Sequence, residues 1–243
     1  MRLSERRGRN AARYLPRRKQ LKNSSKQRVL KKTTSLLFLR LAISTQRSGH
    51  GNKLSSTVKT YIQSLLKLNM EGPYGSEWPE EEKVKRREMV DHEAHYVFVH
   101  EVANSNADGM TTMLTAADSS TCCLKNSGPL VGFVQFRFVL EEEIPVLYVY
   151  ELQLEPRVQG KGLGKFLMQL LEFMAQKNCM GAVMLTVQKA NVLAVDFYIN
   201  KLRYIISATS PSKVNPMMKK SYEILCKVFN DEAKTIFGDR EDE

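Results

Sequence analysis

Residues 146–171 read VLYVYELQLEPRVQGKGLGKFLMQLL, and the fold is decided there. The stretch opens as an apolar, β-branched and aromatic run from Val146 to Leu154, the composition of a strand buried on both faces. One carboxylate, Glu151, interrupts it. Pro156 ends the strand and a glycine-rich turn follows. From Gly164 onward apolar residues recur at helical spacing, at Leu167, Leu170, Leu171, Phe173 and Met174. Strand, glycine loop and helix in that order make an anion site. Backbone N–H groups at a helix start lack intrahelical partners, the helix dipole adds positive charge, and glycines admit a phosphate close to the backbone. Lys161 and Lys165 add full charges.

Two common phosphate loops are excluded by spacing. A G-x-x-x-x-G-K-[ST] loop fails because Gly160 to Gly164 is one residue short and Phe166 stands where Ser or Thr is needed. A G-x-G-x-x-G loop fails because Lys165 takes the third glycine position. What remains, Gln159-Gly160-Lys161-Gly162-Leu163-Gly164, resembles the Q/R-x-x-G-x-G/A loop with which acetyltransferases of the GNAT superfamily hold the pyrophosphate of acetyl-coenzyme A. The competing reading is a plain strand-to-helix connection.

Upstream, Ser35 to Ser44 suits a first strand and Gln46 to Asn52 a turn. Ser55 or Ser56 caps a helix expected to run to Leu68, broken by Gly72, Pro73 and Gly75. Trp78-Pro79-Glu80 starts a charged helix to Val90, expected to be mostly a solvated face. Tyr96 to Glu101 reads as a strand, Ala103 to Pro129 as a long exposed loop, and Val131 to Leu140 as a strand that turns at Glu141–Glu143 into the organising one. Downstream come a strand at Ala182–Val187, an Asn191-capped helix to Asn200, a strand at Tyr204–Ala208, and a last strand at Ser221–Val228 that closes the sheet. This mixed order predicts an α/β domain over residues 34–228, with an acidic, frayed tail at 229–243.

The net charge of +11 belongs to one end of the chain. Residues 1–33 hold 13 Lys or Arg against one acid, Glu5, whereas the remaining 210 residues carry 24 basic and 25 acidic side chains. Such a segment is expected to be disordered. Arg17-Arg18-Lys19 and Lys31-Lys32 suit a two-cluster nuclear import signal or a nonspecific nucleic-acid contact; an organelle transit peptide or a leader with no address are the alternatives. No apolar run approaches the ~18 residues of a membrane span, so no membrane partner is expected. The cysteines Cys122, Cys123, Cys179 and Cys226 have no zinc-like spacing, which favours free thiols and no metal.

Within the superfamily, several stretches resemble the NatD-type N-alpha-acetyltransferases: 148–155, 161–167 and 183–187, with Arg86–Met89, Phe136–Phe138, Ser210–Ser212 and Ser221–Leu225. The match covers residues 55–226. It implies a GNAT fold, a mixed central sheet flanked by helices, with acetyl-CoA as cosubstrate. It also implies acetylation of the free α-amino group of two core histones whose termini begin Ser-Gly-Arg-Gly. Histone tails, and the ribosome or a nascent chain, are the implied partners, and nucleus and cytoplasm the implied location.

The resemblance assigns roles to residues. Glu151 is the implied base. An α-amino group has a pKa of about 7.7–8.0, so a modest base suffices, and desolvation in an apolar strand favours the protonated acid. The alternative is a buried salt-bridge partner. Leu152 would polarise the thioester carbonyl through its N–H, and Leu152, Gln153 and Leu154 would pair with the pantetheine arm as an added strand. Gln159, Gly160, Lys161, Gly162, Leu163, Gly164 and Lys165 would hold the diphosphate. Asn191 is a cofactor contact, a helix cap or both, and Tyr198 either a proton donor to the leaving thiolate or core. Tyr74, Trp78, Glu141, Tyr150, Thr186, Thr209 and Tyr222 would wall the peptide pocket, Glu141 attracting a cationic tail. Val139 departs from the family's acidic residue, Thr209 stands for a serine, and the Tyr74–Trp78 spacing is one residue short.

Overall fold

A computed structural model describes residues 41–45, 51–102, 127–217 and 219–238. In chain order the elements are β1 (Leu41–Thr45), α1 (Ser56–Tyr74), α2 (Trp78–Met89), β2 (His95–Val102), β3 (Ser127–Glu141), β4 (Ile144–Leu154), α3 (Leu163–Lys177) and β5 (Ala182–Gln188). Then follow α4 (Val192–Asp196) running into a π-helical turn (Phe197–Lys201), β6 (Ile205–Ile206), α5 (Pro211–Val214), β7 (Tyr222–Val228) and α6 (Asp231–Phe237). Seven strands form one sheet in the order β1-β2-β3-β4-β5-β7-β6. Every pairing is antiparallel except β4 with β5. The sheet is mixed, as expected of an α/β domain.

The parallel pair needs a crossover, and α3 supplies it. Its Leu163, Leu167, Met168, Leu171 and Ala175 are buried in one core with Leu147 and Val149 of β4 and Val183 and Leu185 of β5. Helices α1 and α2 cover part of the opposite face. There Ile62, Leu65, Leu66, Trp78 and Met89 pack with Tyr96, Phe98 and Phe133. Glu142 and Glu143, both at positive φ, join β3 to β4 in a two-residue turn, the backbone that suits a tight hairpin.

The structure revises several expectations. Helix α1 begins after Ser55, whose hydroxyl accepts from the Val58 N–H at 3.3 Å, but it runs on to Tyr74 with Pro73 in its last turn. Met70 and Tyr74 pack against the α1–α2 core and hold that turn against its poor propensity. Helix α2 is exposed at Lys83, Arg86 and Arg87, yet it buries Trp78 and Met89 and turns Lys85 inward. Strand β3 starts at Ser127, inside the stretch expected to be loop; 103–126 lie outside the described residues, as do Cys122, Cys123, 1–33 and 35–40. The strand expected at Tyr204–Ala208 shrinks to β6, which lies beyond β7, so β7 does not close the sheet. The expected frayed tail contains α6 instead, capped by Asn230, whose Oδ1 accepts from the Ala233 N–H at 2.9 Å. Ala233 and Phe237 are fully buried against the sheet.

Candidate active site

The parallel pairing of β4 and β5 runs only from Val146↔Ala182 to Val149↔Leu185. Beyond it β4 continues to Leu154 beside β3, while β5 continues to Gln188 beside β7. The two strands therefore part, and the edge of β4 from Tyr150 onward faces an opening. At the same level β4 carries a bulge: Gln135 pairs with Glu151 and Phe136 with Val149, leaving Tyr150 as the extra residue.

That one residue reverses the strand's phase. Leu147 and Val149 lie in the core under α3, and so do Leu154 and, half-buried, Leu152. Glu151 and Gln153 are thereby turned to the other face, toward α1 and α2. Tyr150 stays near that side too, its ring 5.5 Å from Tyr148 and beneath the Arg137 guanidinium at 4.3 Å.

Glu151 is 6% exposed. Its Oε1 lies 3.0 Å from Lys85 Nζ on α2, and its Oε2 accepts from Gln153 Nε2 at 2.8 Å. Lys85 also reaches Glu88 Oε2 at 3.2 Å. Burial acts to lower the Lys85 pKa, but Glu151 and Glu88 outweigh it and hold the ammonium well above the ordinary lysine value. A cation and an amide thus meet the two oxygens of this buried carboxylate. Glu151 is therefore a buried salt-bridge partner, the alternative that the sequence left open.

Two predicted tyrosines stand around it. Burial raises the Tyr74 pKa, with Glu151 adding to the effect, Lys85 opposing it and the Gln188 side chain in hydrogen-bond contact. Tyr198 is buried on the π-helical turn, and burial first, then the Glu151 charge, raises its pKa and keeps it a neutral phenol. On Glu81 of α2, burial likewise raises the pKa, against the pull of Lys85.

The glycine loop lies at the far end of β4. Gly160 and Gly162 have φ of 70° and 83°, and a Cβ on either would meet nothing within 4 Å. Both facts suit a ligand lying against bare backbone. Gly162 offers no side chain to cap α3, and the first helical bond runs from Phe166 N–H to the Gly162 carbonyl at 3.0 Å. The N–H groups of Leu163, Gly164 and Lys165 therefore end the helix toward the loop, with Lys161 and Lys165 exposed beside them. A Cβ on Gly164 would press on Phe197 at 3.3 Å, so the third glycine serves close packing. Arg157 ties the loop down through Glu155 at 2.7 Å and Glu101 at 2.9 Å.

Other predicted residues fall differently. The Gln153 side chain donates to Glu151, which leaves the expected pairing role to its backbone. The Leu154 carbonyl already accepts from Gln159 Nε2 at 2.8 Å and Asn69 Nδ2 at 3.1 Å, so it is taken up within the chain, and the Gln159 amide folds back onto it. Asn191 caps α4, accepting from the Ala194 N–H at 3.2 Å. Trp78 is core, 5.9 Å from the Tyr74 ring, and its buried indole N–H has no partner among the described residues. Thr186 meets the Tyr148 hydroxyl at 2.6 Å, Thr209 meets Ser207 at 2.8 Å, and Tyr222 sits opposite Gln188 across β5 and β7. Glu141 is not brought to Glu151. It pairs with Ile144 at the hairpin end, six residues along β3 from Gln135, the partner of Glu151, or roughly 20 Å at about 3.3 Å per residue. Val139, opposite Val146, is buried in the core shared with α6.

Lys85 and Asn69 are the functional residues that sequence reading missed. Both carry a weak signal. Lys85 follows Trp78 by seven residues and precedes Met89 by four, which puts it on the buried stripe of α2. Asn69 continues the stripe of Ile62, Leu65 and Leu66 on α1.

A mixed sheet parted between two parallel strands, with an open glycine-led helix start beyond the parting, defines an α/β protein whose geometry suits a phosphate-bearing ligand. Residues 62–202, more than half of the chain, match the Acetyltransferase (GNAT) family, and the chain belongs to that family. Its fold is similar to the PaiA N-acetyltransferase of Thermoplasma acidophilum, solved with coenzyme A, at 17% identity and a TM-score of 0.47, covering 77% of this chain and 99% of that one. It is also similar to Arabidopsis thaliana NAA60, solved with a bisubstrate analogue, at 14% identity and a TM-score of 0.47, covering 78% and 100%. Arabidopsis thaliana Naa50, solved with the analogue CoA-Ac-MVNAL, matches at 13% identity and 0.44, covering 79% and 100%.

Proposed function

We propose that this acetyltransferase moves an acetyl group from acetyl-CoA to the free α-amine of histone tails that begin Ser-Gly-Arg-Gly. The observation that carries the reading is the place of Glu151: at the parting of β4 and β5, three residues before β4 ends and the chain turns into the glycine loop, and turned toward the α1–α2 side. Acetyl-CoA, when bound, supplies an activated thioester. The N–H groups at the start of α3, with Lys161 and Lys165, suit its diphosphate. The β4 edge at Leu152 and Gln153 suits its extended arm. Glu151 receives the proton that the amine must shed, and the neutral Tyr198 phenol, within the field of the same carboxylate, is a proton source for the departing thiolate.

The α-amine and histone preference rest on the resemblance of 148–155, 161–167 and 183–187 to NatD-type enzymes, and on the carboxylates Glu81, Glu88 and Glu151 clustered about the opening, which favour a cationic tail. A lysine or small-amine acetyltransferase is the second reading, since the same carboxylates attract any cationic amine. The ribosome or a nascent chain, and a location in nucleus and cytoplasm directed by residues 1–33, belong to the same proposal. An adaptor role for that basic segment, touching nucleic acid nonspecifically, is the reading of another class.

One experiment separates these. Purified protein is given acetyl-CoA with Ser-Gly-Arg-Gly-Lys peptide, free or blocked at its α-amine. Product on the free peptide alone supports terminal transfer, product on both supports lysine transfer, and product on neither removes the histone reading.

A further inference from the structure

We propose that Asn69 and Gln153 are positioning residues for Glu151, and that a backbone carbonyl sets the direction in which their amides point. This deepens the reading of Glu151 as proton acceptor and rests on it.

The direction of the relay is set at Leu154. Its carbonyl can only accept, so the Asn69 atom 3.1 Å away must be the amide nitrogen. That same nitrogen lies 2.9 Å from Gln153 Oε1. The Gln153 oxygen is thereby committed to Asn69, and its Nε2 is left to donate to Glu151 Oε2 at 2.8 Å. Rotating the Gln153 amide by half a turn would set its oxygen against the Glu151 carboxylate and its NH2 against that of Asn69, two repulsions at once. With Gln153 at 5% exposure and Glu151 at 6%, water does not relieve either. An amide donor held against a carboxylate favours the ionised form over the acid. The relay from α1 thus fixes which way the Gln153 amide points and keeps its N–H on the Glu151 carboxylate.

Other groups face Glu151 as well. Lys85 comes from α2 with Glu81 and Glu88 behind it, Tyr74 from α1, Tyr96 from β2 and Tyr198 from the π-helical turn. Lys85 favours the anion independently of Asn69. A comparison in which only the relay changes therefore isolates its share.

The test is a direct titration of the Glu151 carboxyl by carbon NMR in protein labelled at glutamate, the signal assigned by its loss in Glu151→Gln. Wild type, Asn69→Leu, Gln153→Met and the double variant are compared, each checked for native circular dichroism; Asn69→Ala substitutes if the leucine does not fold. Each single substitution is expected to move the Glu151 titration upward, because the carboxylate loses a fixed amide donor. The double variant moves it no further than Gln153→Met, because Asn69 acts only through Gln153. A titration unmoved in Gln153→Met, or shifts that add in the double variant, overturns the proposal. As a second readout, the acidic limb of kcat on Ser-Gly-Arg-Gly-Lys rises in pH with KM unchanged. If wild type does not turn over that peptide, the proposed reaction falls while the NMR titration still decides the relay.

Discussion

Lys85 Nζ and Glu151 Oε1 stand 3.0 Å apart, the lysine 14% and the glutamate 5% exposed in their side chains, joining α2 to the bulged end of β4. The pair couples a helix that looks solvated in sequence to the residue at the centre of the site. Removing one partner leaves the other charged and buried, which is costlier than never having had the pair. Lys85→Met is therefore expected to lose about 3–5 kcal/mol. Lys85→Met combined with Glu151→Gln should recover much of that loss, and a double-mutant cycle from urea unfolding measures the difference. Two losses that simply add would mean that the pair is not energetically coupled.

The same pair gives a pH dependence with a definite sign. Carboxylates hold the Lys85 pKa above its ordinary value in the folded protein, after overcoming the opposing effect of burial. A raised folded value means that the stabilisation is complete below the unfolded lysine pKa of about 10.4 and is lost as pH climbs from there through the folded value. The stability gap between wild type and Lys85→Met should accordingly be flat across neutral pH and narrow above about pH 10. A gap that widens in that range would contradict the assignment.

How far the sequence carries can be judged at Tyr150. The strand, the glycine loop and the helix of 146–171 were legible because apolar periodicity and glycine placement are local properties. The side on which Glu151 emerges was not. Plain alternation sets Glu151 with Leu147 and Val149 under α3, and only the register with β3 reveals the extra residue that sends it toward α2. Lys85 was hidden by the same kind of non-local fact, since KVKRREM is mostly charged and its buried stripe appears only once Trp78 and Met89 are seen to pack. Phe237 was missed because a short acidic segment has too little periodicity to announce a helix that tertiary contacts create.

Glu151→Gln tests the chemistry. The substitution keeps the side chain's size and one acceptor beside Gln153, so the protein should still bind acetyl-CoA by calorimetry. Acetyl transfer should fall by ~10²–10⁴. Unchanged turnover would remove Glu151 from the role of proton acceptor and leave it a structural partner of Lys85.

Glu141 tests the geometry of the peptide groove. An extended peptide advances about 3.4 Å per residue, so an α-amine at Glu151 leaves Glu141 beyond the reach of the first four or five residues. Glu141→Gln should leave kcat/KM on Ser-Gly-Arg-Gly-Lys unchanged, and any loss should appear only with longer cationic tails. A loss on the short peptide would require the tail to take a path other than along β4.

The last helix bears on where the domain ends. Phe237 is fully buried, Cys226 Sγ on β7 donates to its carbonyl at 3.5 Å, and the Ala208 N–H donates to the same carbonyl at 3.0 Å. The segment therefore anchors β7 and the turn after β6, which leads into the start of α5, where the Ser210 and Ser212 hydroxyls donate to Glu223 of β7. Phe237→Ala should cost about 3–5 kcal/mol, the ordinary cost of emptying a buried aromatic site. Ending the chain at Val228 should cost at least as much, since it also removes Ala233 and the Asn230 cap. Thermal unfolding of both variants decides the matter: a truncated protein as stable as the full chain would return α6 to the status of a dispensable tail.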